Sequence, residues 1–339
     1  MDLQNSNGLL ITGGTGSFGR AFIKHLLHKY PKLRRIVVYS RDEFKQWQMM
    51  SEYPKNDFPQ IRFFLGDIRD YQRLSIALEG IDTVVHAAAL KHVPFAEYNP
   101  MEFVKTNVLG TENLIQACLE NKVKAFIALS TDKAAAPINL YGATKLCSDK
   151  LVIAANNIRG SRDIKFFVVR YGNVFGSRGS VIPAFIEKAR QGLLPITDPE
   201  MTRFTITLQE GVDFVFSCIS SSLGGEIFVP KLSSYKILDV AEAIGPSCTK
   251  EFIGIRSGEK INEEMITTSD SPFTIQMADR FIILPSDGDL LNKYEKSKIK
   301  FSKVNPNFSY NSLENDTFLN VEQLRNLIIK NIDKNFKPF

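Results

Sequence analysis

Cysteine is scarce in this chain: four residues among 339, at positions 118, 147, 218 and 248. They are widely spaced and form no metal-ligand pattern, so no metal is expected. Cys147 and Cys218 fall in apolar helical patterns, which predicts buried thiols. No run of about 18 apolar residues occurs, so no membrane span is expected. Residues Met1 to Asn7 contain neither a basic segment nor an apolar one, which argues against a secretory leader. These absences point to a reducing cytoplasm. Also missing is a basic stripe with stacking aromatics, the footprint of a nucleic-acid binder. Lys and Arg are scattered apart from Lys32 to Arg35, and the net charge of +5 is mild, a balance that suits a binder of several phosphates. There is no internal repeat and no low-complexity segment.

What remains is an ordinary globular composition, 44% hydrophobic and 23% charged, in a length that suits a large α/β domain with an appended part. Gly8 to Thr12 reads as a short buried strand. It runs into Gly13-Gly14-Thr15-Gly16-Ser17-Phe18-Gly19 and then a helix, Arg20 to His28. Glycines at intervals of three across a strand-to-helix turn allow a tight bend and let a pyrophosphate reach the backbone and the helix N-terminus. A dinucleotide is therefore expected here. The second strand, Arg35 to Tyr39, is followed by Ser40, Arg41, Asp42 and Glu43. Arg41, supported by Lys45, is suited to fork a 2′-phosphate, which favours NADP, while Asp42 keeps NAD in play. After the third strand, Ile61 to Leu65, Asp67 is placed to accept from an adenine amino group, with Ile68 beside it. The fourth strand, Asp82 to His86, ends in Ala87, Ala88 and Ala89, small residues that let the backbone crowd a cofactor. His86 reads as a satisfied strand-end histidine. Lys91 is a candidate contact for phosphate or substrate, and Asn107 opens the next helix on the cofactor side.

The segment Ser130 to Lys145 carries the densest chemistry. Lys124 to Ser130 reads as a buried strand, and Thr131, Asp132 and Lys133 sit at its carboxyl end, where open α/β sheets place ligands. Leu140 to Ala154 reads as a helix with a stripe of Leu140, Ala143, Leu146 or Cys147, Leu151 and Ala154. Tyr141 and Lys145 are four apart and share a face. A phenol titrates near ~10, and a cation beside it favours the phenolate.

A run of β-α units gives a doubly wound parallel sheet, continued by a strand at Lys165 to Arg170. Residues 1–174 are expected to form the dinucleotide-binding domain, with 204–230 returning to it. Residues 175–203 and 231–339 are expected to form a smaller substrate-binding part. Helices are expected at Val181 to Gln191 and Glu210 to Ser220, and a strand at Glu226 to Val229. Ser286 to Asp316 reads as polar and irregular. Asn320 with Gln323 forms a capping-box pattern ahead of a stripe of Leu324, Leu327 and Ile328.

The glycine turn, Tyr141-x-x-x-Lys145 and the strand-end Ser130-Thr131 resemble the extended short-chain dehydrogenase/reductase superfamily. Thr131-Asp132-Lys133, the run Ala87 to Pro94, the run Arg170 to Val174 with Gly176 to Ser180, and Gly254 to Arg256 with Gly258 to Lys260 are similar to the inverting UDP-N-acetylglucosamine 4,6-dehydratases of pseudaminic acid biosynthesis. The resemblance runs from about Leu9 to about Phe281. Lys133 sets the subgroup, because retaining dehydratases usually carry Glu after the Asp and C4 epimerases lack the pair. Those two remain the enzymatic alternatives. A non-enzymatic NADP sensor of the same fold would tend to lose Tyr141 and Lys145.

The resemblance implies a Rossmann-type fold, NADP as cofactor, UDP-N-acetylglucosamine as substrate, a homo-oligomer, and a product used to decorate flagellin or surface polysaccharide. It implies that Tyr141 takes the C4 hydroxyl proton, that Lys145 holds the nicotinamide ribose, and that Thr131 bonds near C4. Lys133 would remove the C5 proton, Asp132 would protonate the departing C6 hydroxyl, and C6 would end as a methyl group. It places Val174 at the cofactor. Asn173, Arg178, Gly179, Ser180 and Val181 would contact the diphosphate and sugar, and Thr197, Arg203, Arg256 and Glu259 the uridine and phosphates. A base must be neutral, yet free lysine titrates near ~10.4. Lys133 and Asp132 are therefore expected to form a neutral pair, with Lys145 and the nicotinamide cation pushing Lys133 down.

Overall fold

The computed structural model describes residue 3, residues 6–177 and residues 179–339. Its chain order begins β1 (Gly8–Thr12), α1 (Ser17–Lys29), β2 (Arg35–Ser40), α2 (Glu43–Glu52), β3 (Ile61–Leu65), α3 (Tyr71–Ala77) and β4 (Thr83–His86). Two short helices follow, α4 (Val93–Tyr98) and α5 (Pro100–Phe103), then a π-helical stretch (Val104–Leu109) that runs into α6 (Gly110–Glu120). Next come β5 (Ala125–Thr131), a 3₁₀ turn (Asp132–Ala134), α7 (Leu140–Ile158), β6 (Lys165–Tyr171), β7 (Asn173–Val174), α8 (Val181–Ala189), β8 (Leu193–Ile196), β9 (Thr202–Ile206), α9 (Leu208–Ser221) and β10 (Ile227–Pro230). The remainder comprises β11 (Ser233–Lys236), α10 (Ile237–Ile244), β12 (Thr249–Phe252), β13 (Glu264–Ile266), β14 (Thr274–Gln276), β15 (Arg280–Ile283), α11 (Asp289–Lys296), β16 (Ser302–Lys303), β17 (Tyr310–Asn311) and α12 (Val321–Asn331).

The large sheet has the order β16-β14-β15-β10-β6-β5-β4-β1-β2-β3. From β3 to β10 neighbouring strands are parallel, and β15, β14 and β16 are added antiparallel. Strands such as β1 and β2, with nearly every side chain buried, read as unbroken apolar runs because helices cover both faces. One face packs Phe22, Ile23, Leu26, Val212 and Val215 from α1 and α9. The other packs Leu114, Ile115, Cys118 and Val152 from α6 and α7. The chain order reverses between β1 and β4, which opens a crevice at the carboxyl ends of the strands.

A separate core gathers Ile182, Phe185, Leu194, Ile196, Tyr235, Ile237, Leu324 and Ile328 around α8, α10 and α12. The capping box at Asn320 and Gln323 forms as expected, with Leu324 and Ile328 buried and Leu327 partly so. Several expectations are corrected. Three strands from 231–339 extend the large sheet, because the apolar side chains of β14 and β15 continue the core beside β10 and β16 pairs onto β14. The polar stretch from Ser286 contains α11, β16 and β17. Cys147 is exposed, whereas Cys218 is buried. The helix stripe on α7 is rotated from the one expected: Leu140, Ala143, Leu146 and Leu151 are only partly buried. Tyr141, Thr144, Lys145, Ser148, Asp149 and Val152 face inward, while Ala154 and Cys147 face out. That helix buries polar side chains because its inner face serves the cleft rather than a hydrocarbon core.

Candidate active site

A cleft of ≈ 1770 Å³ runs from the glycine turn past β5 and Tyr141 to the loops around 179–181, 195–203 and 253–263. Gly13, Thr15, Gly16, Ser17, Phe18 and Gly19 line one end. Gly13 holds φ +66°, and a Cβ there would stand 2.9 Å from the Ala88 amide nitrogen. A Cβ on Gly19 would stand 2.5 Å from the Cα of Gly14. Among the described residues no side chain caps the start of α1 at Gly16, so its first N–H groups are left for a ligand. This donor set fits the pyrophosphate of a dinucleotide.

The wall behind it is rigid. Thr12 Oγ1 accepts from the N–H groups of Ala87 and Ala88 (3.2 Å each), so its own proton goes to His86 Nδ1 at 2.8 Å. His86 Nε2 lies 3.1 Å from Thr111 Oγ1, which donates to the Asn107 carbonyl. Burial, then Lys145, pulls His86 down to about 3, so the ring is neutral. It is the satisfied histidine expected. Asn107 is fully buried and bonds both the N–H and the C=O of Leu90 at 2.8 Å. It shapes the loop beside the cofactor end and does not line the cleft.

Toward the ribose end, Ser40, Arg41, Asp42, Lys45, Ile68, Ala87 and Ala89 line the cleft, as do Arg20, Gln48 and Glu52, which sequence reasoning missed. Arg41 is exposed and stands 3.5 Å from Asp67. The Asp42 carboxylate caps α2 by accepting from the Lys45 N–H at 2.9 Å and pairs with the Lys45 ammonium. Glu43 starts that helix outside the cleft lining. Asp67 also stays outside it. Its carboxylate accepts from the Arg69 backbone and guanidinium at 2.7–3.0 Å, which leaves it poorly placed to receive an adenine amino group.

At the centre, β5 and its 3₁₀ turn present Thr131 and Lys133 to the cleft, facing Tyr141 and Lys145 of α7. Lys133 Nζ donates to Asp132 Oδ1 at 3.0 Å and Asn173 Oδ1 at 3.3 Å and is ion-paired with Glu263 Oε1 at 3.1 Å. Burial pulls its ammonium down, but Asp132 and then Glu263 outweigh that and hold it above the usual lysine range. The expected neutral Lys133–Asp132 pair is thus replaced by a trio that includes Glu263. Burial, opposed by Lys133 and assisted by Glu263, raises Asp132. Burial works against ionised Glu263, but Lys133 and Arg203 outweigh it and hold that carboxyl low.

Asp132 is fully buried and lies behind the cleft wall. Its Oδ1 also accepts from Thr131 Oγ1 at 2.9 Å. A Cβ added at Gly172 would stand 2.7 Å from Phe204 Cβ, so only glycine fits between Phe204 and Asp132 Oδ2.

Burial raises Tyr141 to about 12, although Lys133 and a bond from Thr131 pull the other way. The expected lowering by Lys145 is not what this environment produces. Burial holds Lys145 below its usual value against Asp149, and its Nζ donates to the Leu129 carbonyl at 2.8 Å. Beneath lies a buried network: Asp149 accepts from Ser130 at 2.7 Å and pairs with Arg170 at 3.2 Å. Lys91 lines the cleft, lowered by burial and then by Lys133.

At the far end Asn173, Val174, Gly179, Ser180, Val181, Thr197, Arg203, Arg256 and Glu259 all line the cleft. Arg178 lies outside the described residues. Ser180 starts α8 without a side-chain cap among the described residues. Arg203 is more constrained than expected. Its guanidinium donates to the carbonyls of Thr202 (2.7 Å), Ile261 (2.8 Å) and Lys260 (2.9 Å), and Nε stands 3.7 Å from Glu263. Arg256 pairs with Glu259. Two bonds tie this end to the segment between β5 and α7: Asn139 Nδ2 to the Gly258 carbonyl and Lys260 Nζ to the Ala135 carbonyl, each 2.8 Å.

The parallel sheet, the open glycine turn and the Thr131, Tyr141 and Lys145 cluster define an extended short-chain dehydrogenase/reductase. A family model described as polysaccharide biosynthesis protein matches residues 9–285, and the chain belongs to that family. It is 51% identical over 332 residues, 96% of this chain and 98% of the relative, to a UDP-N-acetylglucosamine 4,6-dehydratase (inverting) of Campylobacter jejuni subsp. jejuni serotype O:2. It is 39% identical, over 95% of both chains, to a UDP-glucose 4-epimerase of Rickettsia canadensis. Among solved structures, Pen from Bacillus thuringiensis superimposes with a TM-score of 0.87 at 36% identity, covering 98% of this chain and 99% of that one.

Proposed function

We propose that this protein is an inverting UDP-N-acetylglucosamine 4,6-dehydratase that works with NADP. The observation that carries the reading is Lys133: an ammonium facing the cleft, bonded to Asp132 and within reach of the space beside Tyr141. An epimerase needs no second acid and base beside the tyrosine. A nicotinamide dinucleotide held at Gly13 to Gly19 would supply transient oxidation at C4 and reduction at C6. Tyr141 accepts the C4 hydroxyl proton, with Thr131 bonded beside it. A ketone at C4 acidifies C5, and Lys133 removes that proton. Asp132 protonates the departing C6 hydroxyl. The proton that Tyr141 took from O4 is not returned to a product that keeps its 4-keto group, and is available to C5. Arg41 favours NADP because a guanidinium at the rim matches a 2′-phosphate. The open start of α8 and Arg256 suit the diphosphate. Such a 6-deoxy-4-keto sugar nucleotide is a precursor for pseudaminic acid and for the decoration of flagellin.

Proton NMR of UDP-N-acetylglucosamine with the protein and trace NADP⁺ in D₂O tests this reading. A new methyl signal, deuterium at C5 and ring couplings of the L-arabino sugar are expected. A methyl signal with the C5 configuration kept would overturn the inverting assignment. The similarity to the Rickettsia epimerases supports a second reading, UDP-sugar C4 epimerisation. A C4 epimer with no methyl signal would establish it.

A further inference from the structure

Lys133 is an ammonium that faces three oxygens: it donates to Asp132 Oδ1 and Asn173 Oδ1 and is ion-paired with Glu263 Oε1 at 3.1 Å. In this form it has no lone pair for C5, so one of those protons must leave before it acts as a base. An amide oxygen is too weak a base to take it. Asp132 has to carry its own proton to serve as the acid. Glu263 remains. Its side chain lines the cleft, is 2% exposed, and has a second oxygen, Oε2, with no hydrogen-bond partner among the described residues. The backbone around it is fixed, with its N–H on Ser312 Oγ at 2.9 Å and its C=O accepting from the Ser312 N–H at 2.8 Å.

We infer that Glu263 is a positioning residue that acts through Lys133, holding its amine toward the cleft and taking up the proton that Lys133 must lose. The inference rests on the dehydratase reading. The steps balance. A proton moves from Lys133 Nζ to Glu263, which leaves both neutral. The Lys133 lone pair takes the C5 proton, the C5–C6 double bond forms, the C6–O bond breaks, and water leaves with the Asp132 proton. Lys133 then passes the C5 proton to Asp132, Glu263 returns its proton to Lys133, and the trio is reset. In the form described Lys133 and Arg203 keep Glu263 ionised, so the first transfer runs uphill, and exclusion of water by a bound substrate lowers its cost because a buried ion pair is costly to keep. The charged and titratable groups facing Glu263 are Lys133 and Asp132 from the 3₁₀ turn, Arg203 from β9, and Lys260 from its own loop. Lys91, Tyr141 and Tyr235 face Lys133.

The test is Glu263→Gln in the full protein, with cofactor reduction and methyl formation followed separately in a single turnover. Cofactor reduction should proceed at the parent rate while methyl formation falls about 100-fold, the size of one lost acid–base partner. Methyl formation should then recover as pH rises, because solvent base replaces Glu263. Parent-like methyl formation, or an equal loss in both steps, overturns the inference. If the Gln variant does not fold, Glu263→Asp is measured instead: a pH profile superimposed on the parent's overturns the inference, and a displaced one supports it. A parent protein that forms no methyl product at all would instead overturn the dehydratase reading.

Discussion

Gly142 gives the sharpest perturbation of the catalytic geometry without touching a reactive group. It lies in the first turn of α7, between Tyr141 and Lys145, and its N–H bonds the Asn139 cap at 2.8 Å. A Cβ there would stand 2.2 Å from the Lys133 carbonyl oxygen and 3.1 Å from its carbonyl carbon. Ordinary contacts start at 3.4 Å. Gly142→Ala must therefore push the Lys133 backbone and α7 apart by about 1 Å, a misplacement that costs on the order of 100-fold in rate. Overpacking costs about 1–3 kcal/mol, and alanine returns about 1 kcal/mol of helix propensity. The net loss of about 2 kcal/mol or less lowers Tm by no more than about 8 °C. The expected result is a folded protein with kcat for methyl formation down about 100-fold. The assay is NMR of the product alongside a thermal melt. A variant with parent kcat would refute rigid contact between the start of α7 and the Lys133 carbonyl.

Asp149→Asn should destabilise by about 3–5 kcal/mol, because it leaves the buried Arg170 guanidinium without its counter-charge; denaturant unfolding reads this directly. Arg41→Ala should raise KM for NADP about tenfold and leave KM for NAD unchanged, since a rim guanidinium interacts with the extra phosphate alone; equal losses for both cofactors would count against the NADP assignment. His86 supplies a pH prediction. Its folded value, about 3, lies below the 6.5 of a free histidine, so the unfolded chain binds more protons between them. Its contribution to stability is fully present above about pH 6.5 and is lost as pH falls toward about 3, at a slope approaching 1.4 kcal/mol per unit. His86→Gln should flatten the stability–pH curve in that window, and an unchanged slope would remove His86 as the cause.

The alternation of strand and helix, the glycine turn and the capping box at Asn320 were all legible in the sequence, because each depends on residues close together in the chain. The strand-end position of Thr131 to Lys133 followed from the same local rules. What was not legible arises from distant contacts. Glu263 sits in Asn262-Glu263-Glu264, an unremarkable pair of acids until β13 packs it against the 3₁₀ turn at Asp132. The inward face of α7 was misread because apolar periodicity marks the buried face only where the neighbour is apolar. Asp67 and Arg203 have the residue types of ligand contacts, yet Arg69 claims one and three carbonyls claim the other.

The bonds from Asn139 to Gly258 and from Lys260 to Ala135 both fall in the short segment between Lys133 and α7. With Arg203 gripping the same loop, the 256–263 loop and the segment that follows β5 form a single stiff piece. A hinge between them would have to break these bonds. Adaptation of this scaffold to another sugar nucleotide would therefore disturb the proton chemistry along with the binding, and tolerance of new substrates should come from the opposite wall, on α8 and the loop before it.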